Sequence, residues 1–180
     1  WRDESLVWIA TEIASFDAKD ADWAKTRQRQ RQASHALPNS HIVAAIDTGE
    51  KRDIHPADKA AISERMALAA LGAVYGDKTV AYKSPEFKSA KYSAGTAEVL
   101  FETFGGKLAG RGDSRGFELK IGGKWIPAKA AVSGDNAVRV SVESAEIPQG
   151  VRYAFKSWIK PDVWLYNQSG LPAFGFSDEK

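Results

Sequence analysis

Apolar and polar positions change rhythm along this chain, and the change predicts two kinds of structure. Leu6 to Ala10 is an unbroken apolar run containing Val7, Trp8 and Ile9, the pattern of a parallel strand covered on both faces. Asp17 to Leu37 is rich in alanine, lysine, arginine and glutamine. It predicts a surface helix, with Asp20 and Asp22 as capping residues and Pro38-Asn39 as its stop. Ile42 to Ile46 predicts a second buried strand, ending in the polar loop opened by Asp47-Thr48-Gly49. Ile62, Met66, Leu68, Leu71, Val74 and Tyr75 recur near helical spacing. They predict an amphipathic helix over 56–75, with Pro56 in its first turn and Gly76 at C′. Strand, helix, strand, loop, helix is the order of an open α/β sheet, where reactive groups collect beyond the carboxyl ends of strands. The loop from Asp47 to His55 occupies that place.

After Tyr82 the helical period gives way to short β-rich runs separated by glycine-containing turns. The runs are Ala97 to Phe104, Phe117 to Ile121, Lys124 to Val132, Ala137 to Val142 and Val151 to Trp158. Gly105-Gly106, Gly122-Gly123, Gly134-Asp135 and Pro148-Gln149-Gly150 punctuate them. Alternation is clearest in Val138-Arg139-Val140-Ser141-Val142. The expectation is an α/β unit over 1–82 followed by an antiparallel β-sandwich-like unit over 83–180.

Charge narrows the function. Lysine and arginine number 25 against 23 aspartates and glutamates, a formal net charge of +2, too balanced for broad contact with a phosphate backbone. Nucleic acid is therefore not the expected partner. With no cysteine, thiolate catalysis and cysteine-ligated metal are excluded. No window approaches the roughly 18 consecutive apolar residues of a membrane span. The chain opens on Trp1-Arg2-Asp3-Glu4-Ser5 and enters an apolar run at once, which reads as a segment entered mid-domain.

Asp53-Ile54-His55-Pro56 is the most informative tetrapeptide. A histidine acting as general base toward a hydroxyl needs one ring nitrogen facing the nucleophile and the other held by an acceptor. Asp53, two residues earlier, can be that acceptor, and Asp47 at the expected strand end is the second choice. His35 and His41 lack helical metal-ligand spacing and read as structural or surface residues. Arg27, Arg29 and Arg31 alternate with glutamine, which spreads them around a helix and predicts a solvated element. Arg111-Gly112-Asp113 reads as a turn. Trp125, Trp158 and Trp164 are candidate sugar-stacking platforms, with packing in the β core as the commoner use of such residues.

A wider string carries a family resemblance. Leu37-Pro38-Asn39-Ser40, Ile46-Asp47-Thr48-Gly49-Glu50, Asp53-Ile54-His55-Pro56 with Lys59, and Arg65-Met66-Ala67-Leu68-Ala69-Ala70 resemble the closing segment of sialate O-acetylesterases. Those are carbohydrate acetyl esterases of the SGNH hydrolase superfamily. Val151-Arg152-Tyr153-Ala154-Phe155 and Leu165-Tyr166-Asn167 with Gly170-Leu171-Pro172-Ala173 are similar to the same family's C-terminal β region. The resemblance implies the C-terminal part of a flavodoxin-like three-layer sheet, followed by the β region. It also implies a serine esterase acting on acetylated carbohydrate, with His55 as base and the nucleophilic serine upstream of Trp1. Neither metal nor cofactor is implied, and a periplasmic or secreted setting is favoured. The sequence departs from the superfamily in placing Arg52, not an acid, three residues before the histidine. Phe174-Gly175-Phe176 likewise replaces the expected Ser-Pro-Phe. The competing reading is a non-catalytic carbohydrate-binding or scaffolding module.

Overall fold

A computed structural model describes residues 5–19 and 21–179; Asp20, one of the two expected caps, lies outside them. The chain runs through β1 (Trp8–Thr11), α1 (Trp23–Ala36), β2 (Ser40–Val43) and α2 (Ala60–Ala69), which continues into a single π turn (Ala70–Val74). β1 and β2 pair in parallel, Trp8 opposite Ser40 and Thr11 opposite Val43. The parallel course outlasts the strands, because Glu12, Ser15 and Asp17 donate their amides to the carbonyls of Val43, Thr48 and Lys51, each at 3.1 Å. The loop that follows β2 is thereby tied to the segment that follows β1. Asp22 caps α1 by accepting the amide of Lys25 at 2.9 Å.

Three expectations in this half need correction. β1 is not covered on both faces, since Trp8 is 61% exposed. α1 is not a solvated helix, for Ala24, Arg27, Arg31 and Ser34 form one buried face. Arg27 donates to the carbonyls of Lys156 and Ser157, and Arg31 donates to the Gly175 carbonyl at 3.0 Å while lying over the Phe174 ring. Backbone carbonyls from the far end of the chain thus satisfy guanidinium donors that would otherwise be too costly to bury. α2 begins at Ala60 rather than Pro56, because the Asp58 carboxylate takes the Ala60 amide at 2.9 Å and fixes the start there. Its buried residues are Arg65 and Ala69, while Leu71, Val74 and Tyr75 are exposed.

The remainder holds β3 (Glu86–Ser93), β4 (Thr96–Glu102), β5 (Leu108–Gly110), β6 (Phe117–Ile121), β7 (Lys124–Pro127), β8 (Lys129–Val132), β9 (Ala137–Ser141), β10 (Gly150–Tyr153), a 3-10 turn (Lys160–Asp162), β11 (Leu165–Asn167) and β12 (Phe176–Ser177). Two four-stranded antiparallel sheets form, ordered β3-β4-β9-β8 and β12-β10-β6-β7, beside a β5-β11 pair. The expected single run over 124–132 divides into strands of different sheets. Pro127 has no amide to continue a ladder, and the next amide, of Ala128, turns back to the Phe117 carbonyl at 3.0 Å. The run expected over 151–158 ends at Tyr153, where Ala154 takes φ 50°.

Val99, Phe101, Val138 and Val140 of one sheet and Phe117, Leu119, Val151 and Tyr153 of the other share one core, which Ile46 joins from the first half. The chain is therefore a mixed α/β structure dominated by strands. Among the described residues no helix is long and apolar enough to cross a membrane.

Candidate active site

The loop between β2 and α2 is pinned at its start and open at its end. Val43 to Ile46 is fully buried. Immediately after it, Asp47 receives a bidentate pair of hydrogen bonds from Arg65 of α2, both at 2.7 Å, while Arg65 also donates to the Ala44 carbonyl at 2.8 Å. The Tyr166 hydroxyl of β11 reaches Asp47 at 3.3 Å, and the Arg111 guanidinium lies 3.7 Å from the centre of the Tyr166 ring. Burial, and next the negative charge of Asp47, push the Tyr166 phenol up to about 12. It stays protonated and can only donate to the carboxylate. Both oxygens of Asp47 are thus committed to fastening α2 and β11 to the root of the loop.

Gly49 follows in a backbone shape other residues resist. Its φ is 102°, and a Cβ there would meet the Ser15 carbonyl oxygen at 2.1 Å. Only glycine lets the loop lie flat on the 12–17 segment. The Lys160 ammonium holds the Gly49 carbonyl at 3.0 Å from the opposite side. Glu50 bends the next stretch back by accepting the Ala57 amide at 3.0 Å.

Asp53 and His55 sit at the exposed end. The Asp53 Oδ1 accepts the backbone amide of His55 at 2.8 Å, a local turn that short acidic side chains form readily. The structure therefore brings these two residues together through the main chain. The His55 imidazole is exposed, and no hydrogen bond reaches it among the described residues. Pro56 behind it is buried, so the imidazole projects from an anchored backbone.

The other histidines lie elsewhere. His35 Nε2 is 3.3 Å from the Glu86 carboxylate, and His41 meets the Tyr82 ring edge to face at 6.0 Å. Of the three tryptophans, Trp164 is core: it is buried, contacts Phe117 and donates its ring N–H to the Gly112 carbonyl at 3.1 Å. Trp125 lies under the Arg152 guanidinium at 4.5 Å. Trp158 is half-buried beside a shallow cleft shared with Gly49, Glu50 and Lys160. The Arg111-Gly112-Asp113 stretch is a bend, with Gly112 at φ 67°.

Sequence reasoning missed a buried charge cluster. Glu12, directly after β1, is buried, accepts the Ala45 amide at 2.9 Å through Oε1 and leaves Oε2 without a hydrogen-bond partner among the described residues. Burial raises its pKa, against the pull of Arg27 first and Arg31 after it. Both arginines are lowered by the same burial and supported by Glu12. The signal was present in the spacing 24, 27, 31, 34, a helical stripe that happens to contain two arginines.

The fold as a whole is similar to that of a carbohydrate acetylesterase of known structure. A carbohydrate acetylesterase from Xanthomonas citri superposes with a TM-score of 0.89 at 32% identity, over 99% of this chain and 42% of that one. The chain is likewise similar along nearly its whole length to sialate O-acetylesterases, being 25% identical over 183 residues to that of Rattus norvegicus (94% of this chain, 34% of the relative). It is 21% identical over 184 residues to that of Homo sapiens (93% of this chain, 35% of the relative). The chain spans about a third of the length of these relatives. No family model matches it.

Proposed function

We propose that this chain is the closing part of a serine-dependent O-acetylesterase acting on acetylated carbohydrate, with His55 as general base and the nucleophilic serine supplied by polypeptide outside these 180 residues. In this reading β1 and β2 are the last strands of an SGNH-type three-layer sheet, and residues 83–180 form a β-sandwich packed against it. The observation that carries the reading is the 32% identity and 0.89 TM-score to a carbohydrate acetylesterase over 99% of the chain. The exposed His55 on an anchored loop beyond the carboxyl end of β2 is what that chemistry requires.

The proposed proton path runs through His55. One His55 ring nitrogen takes the proton of the serine hydroxyl as its oxygen attacks the acetyl carbonyl. Asp53 holds the His55 main chain through Oδ1, which leaves Oδ2 to accept from the other ring N–H and stabilise the imidazolium. The imidazolium then protonates the departing sugar oxygen. A water deprotonated by the same imidazole releases acetate from the acetyl-serine. The scheme uses no metal or organic cofactor.

In the polypeptide that supplies the serine, Asp53→Asn is expected to lower kcat for acetyl ester hydrolysis while leaving KM near its starting value, because the imidazolium forms only after substrate is bound. An unchanged kcat would assign the ring's partner elsewhere.

A further inference from the structure

A second cleft lies at the opposite end of β2. The loop carrying His55 leaves the carboxyl end of this strand, whereas a cleft of about 410 Å³ opens at its start and is lined by Ser40, His41 and Ile42. In the parallel ladder His41 and Val43 turn their backbone groups toward β1, so Ser40 and Ile42 turn theirs to the other edge. No strand pairs with that edge among the described residues. Across the cleft stand Tyr82 and Lys83, with Phe104 and Phe174 completing an aromatic wall.

The charges in this cleft are unequally partnered. Glu86 is held by His35 at 3.3 Å, with the charges of Arg31 and, more weakly, Lys83 also reaching it. Lys83 has no ion pair among the described residues. Its ammonium lies 4.8 Å from the centre of the Phe104 ring and 5.7 Å from that of Tyr82. Phe104 is 43% exposed, which leaves part of an apolar ring open beside a cation that closes no ion pair among the described residues. His41 contributes a ring whose pKa is lowered by burial and then by Lys83. Uncharged at neutral pH, it offers one donor and one acceptor to hydroxyl groups.

An apolar ring, a cation outside any close ion pair and neutral hydrogen-bonding groups within one small cleft suit a ring with C–H faces, hydroxyls and one negative charge. We propose that this cleft is a non-catalytic binding site for a carboxylate-bearing monosaccharide or saccharide end, with Lys83 meeting the carboxylate and Phe104 the sugar face. The inference does not rest on the esterase reading, since it concerns a different end of β2 and needs no turnover.

The test is an amide chemical-shift titration of the 180-residue chain with N-acetylneuraminate and with glucuronate, beside N-acetylglucosamine and sodium acetate as controls. The expected result is saturable shifts at His41, Ile42, Lys83 and Phe104 with the acidic sugars, and much weaker responses to the neutral sugar and to acetate. Lys83→Gln should weaken acidic-sugar binding about tenfold, as loss of one charge-assisted hydrogen bond does. Phe104→Ala should weaken it with both sugar acids and leave the acetate response unchanged. Both side chains are exposed, so the dispersed spectrum of a folded chain is expected for each variant. Shifts centred elsewhere, an equal response to acetate or to the neutral sugar, or undiminished affinity in Lys83→Gln would each overturn the proposal.

Discussion

Asp47 and Arg65 form a two-pronged ion pair, both contacts at 2.7 Å, at the point where the buried end of the β2 segment becomes the loop that carries His55. The side chains are only 14% and 9% exposed, and each makes a further contact, Asp47 with Tyr166 and Arg65 with the Ala44 carbonyl. A buried pair is costly to break from one side, because the surviving charge loses its compensation. Arg65→Ala is accordingly expected to destabilise the chain by about 3 kcal/mol, lowering Tm by about 10 °C in thermal denaturation. A change within about 1 °C would show that the pair is dispensable to the fold.

Two tyrosines should separate in their contribution to stability. The Tyr153 hydroxyl is buried and accepts the amides of Trp164 and Leu165 at 2.9 and 2.8 Å, whereas Tyr166 makes one longer bond to Asp47. Tyr153→Phe strands two buried donors and is expected to cost about 3 kcal/mol; Tyr166→Phe removes one bond and is expected to cost about 1 kcal/mol. Urea unfolding of the two variants decides the order.

Glu12 gives the fold a pH signature. Its pKa is raised, chiefly by burial, so the folded chain holds a proton that the unfolded chain releases near the ordinary carboxylate value. Stability from this group is complete below about pH 4.5 and is lost as pH rises through the raised folded value. The Tm difference between the unmodified chain and Glu12→Gln should therefore shift against the unmodified chain as pH is raised from 4 to 7, about these values. A difference that does not vary with pH would show Glu12 ionising as it does in water.

Much of the fold was legible because local patterns and packing agreed. The run 117–121 became β6 and 137–142 became β9, since alternating apolar positions, bounded by glycine turns, had one core to face. β3 was not foreseen: Glu86–Ser93 is mostly polar, and only Phe87, Ala90 and Tyr92 pack on the core. The arginines of α1 were misread because their burial depends on carbonyls of Lys156, Ser157 and Gly175, which sequence spacing does not reveal. The apolar residues after Ala69 were misread for a different reason. Helical spacing predicted a buried stripe, yet Leu71, Val74 and Tyr75 lie on the exposed π turn and its end.

In the candidate site, the Asp53-Ile54-His55-Pro56 string marked the loop, while the clamp that fixes it was hidden. Tyr166 lies 119 residues from Asp47, and Arg65 sits in what reads as an ordinary helix. Asp47 was weighed as an acid partner for the histidine. Arg65 explains why its carboxylate is instead occupied.

The measurement that bears most directly on the central claim is acetyl ester hydrolysis by the serine-containing polypeptide carrying His55→Ala. His55 is exposed and its ring makes no hydrogen bond among the described residues, so Tm should stay within about 2 °C. The predicted result is a fall in kcat/KM of about 10³-fold or more, as removal of the base of a serine triad produces. Hydrolysis within about threefold of the unmodified enzyme, with the fold intact, would contradict the assignment of His55 as the base.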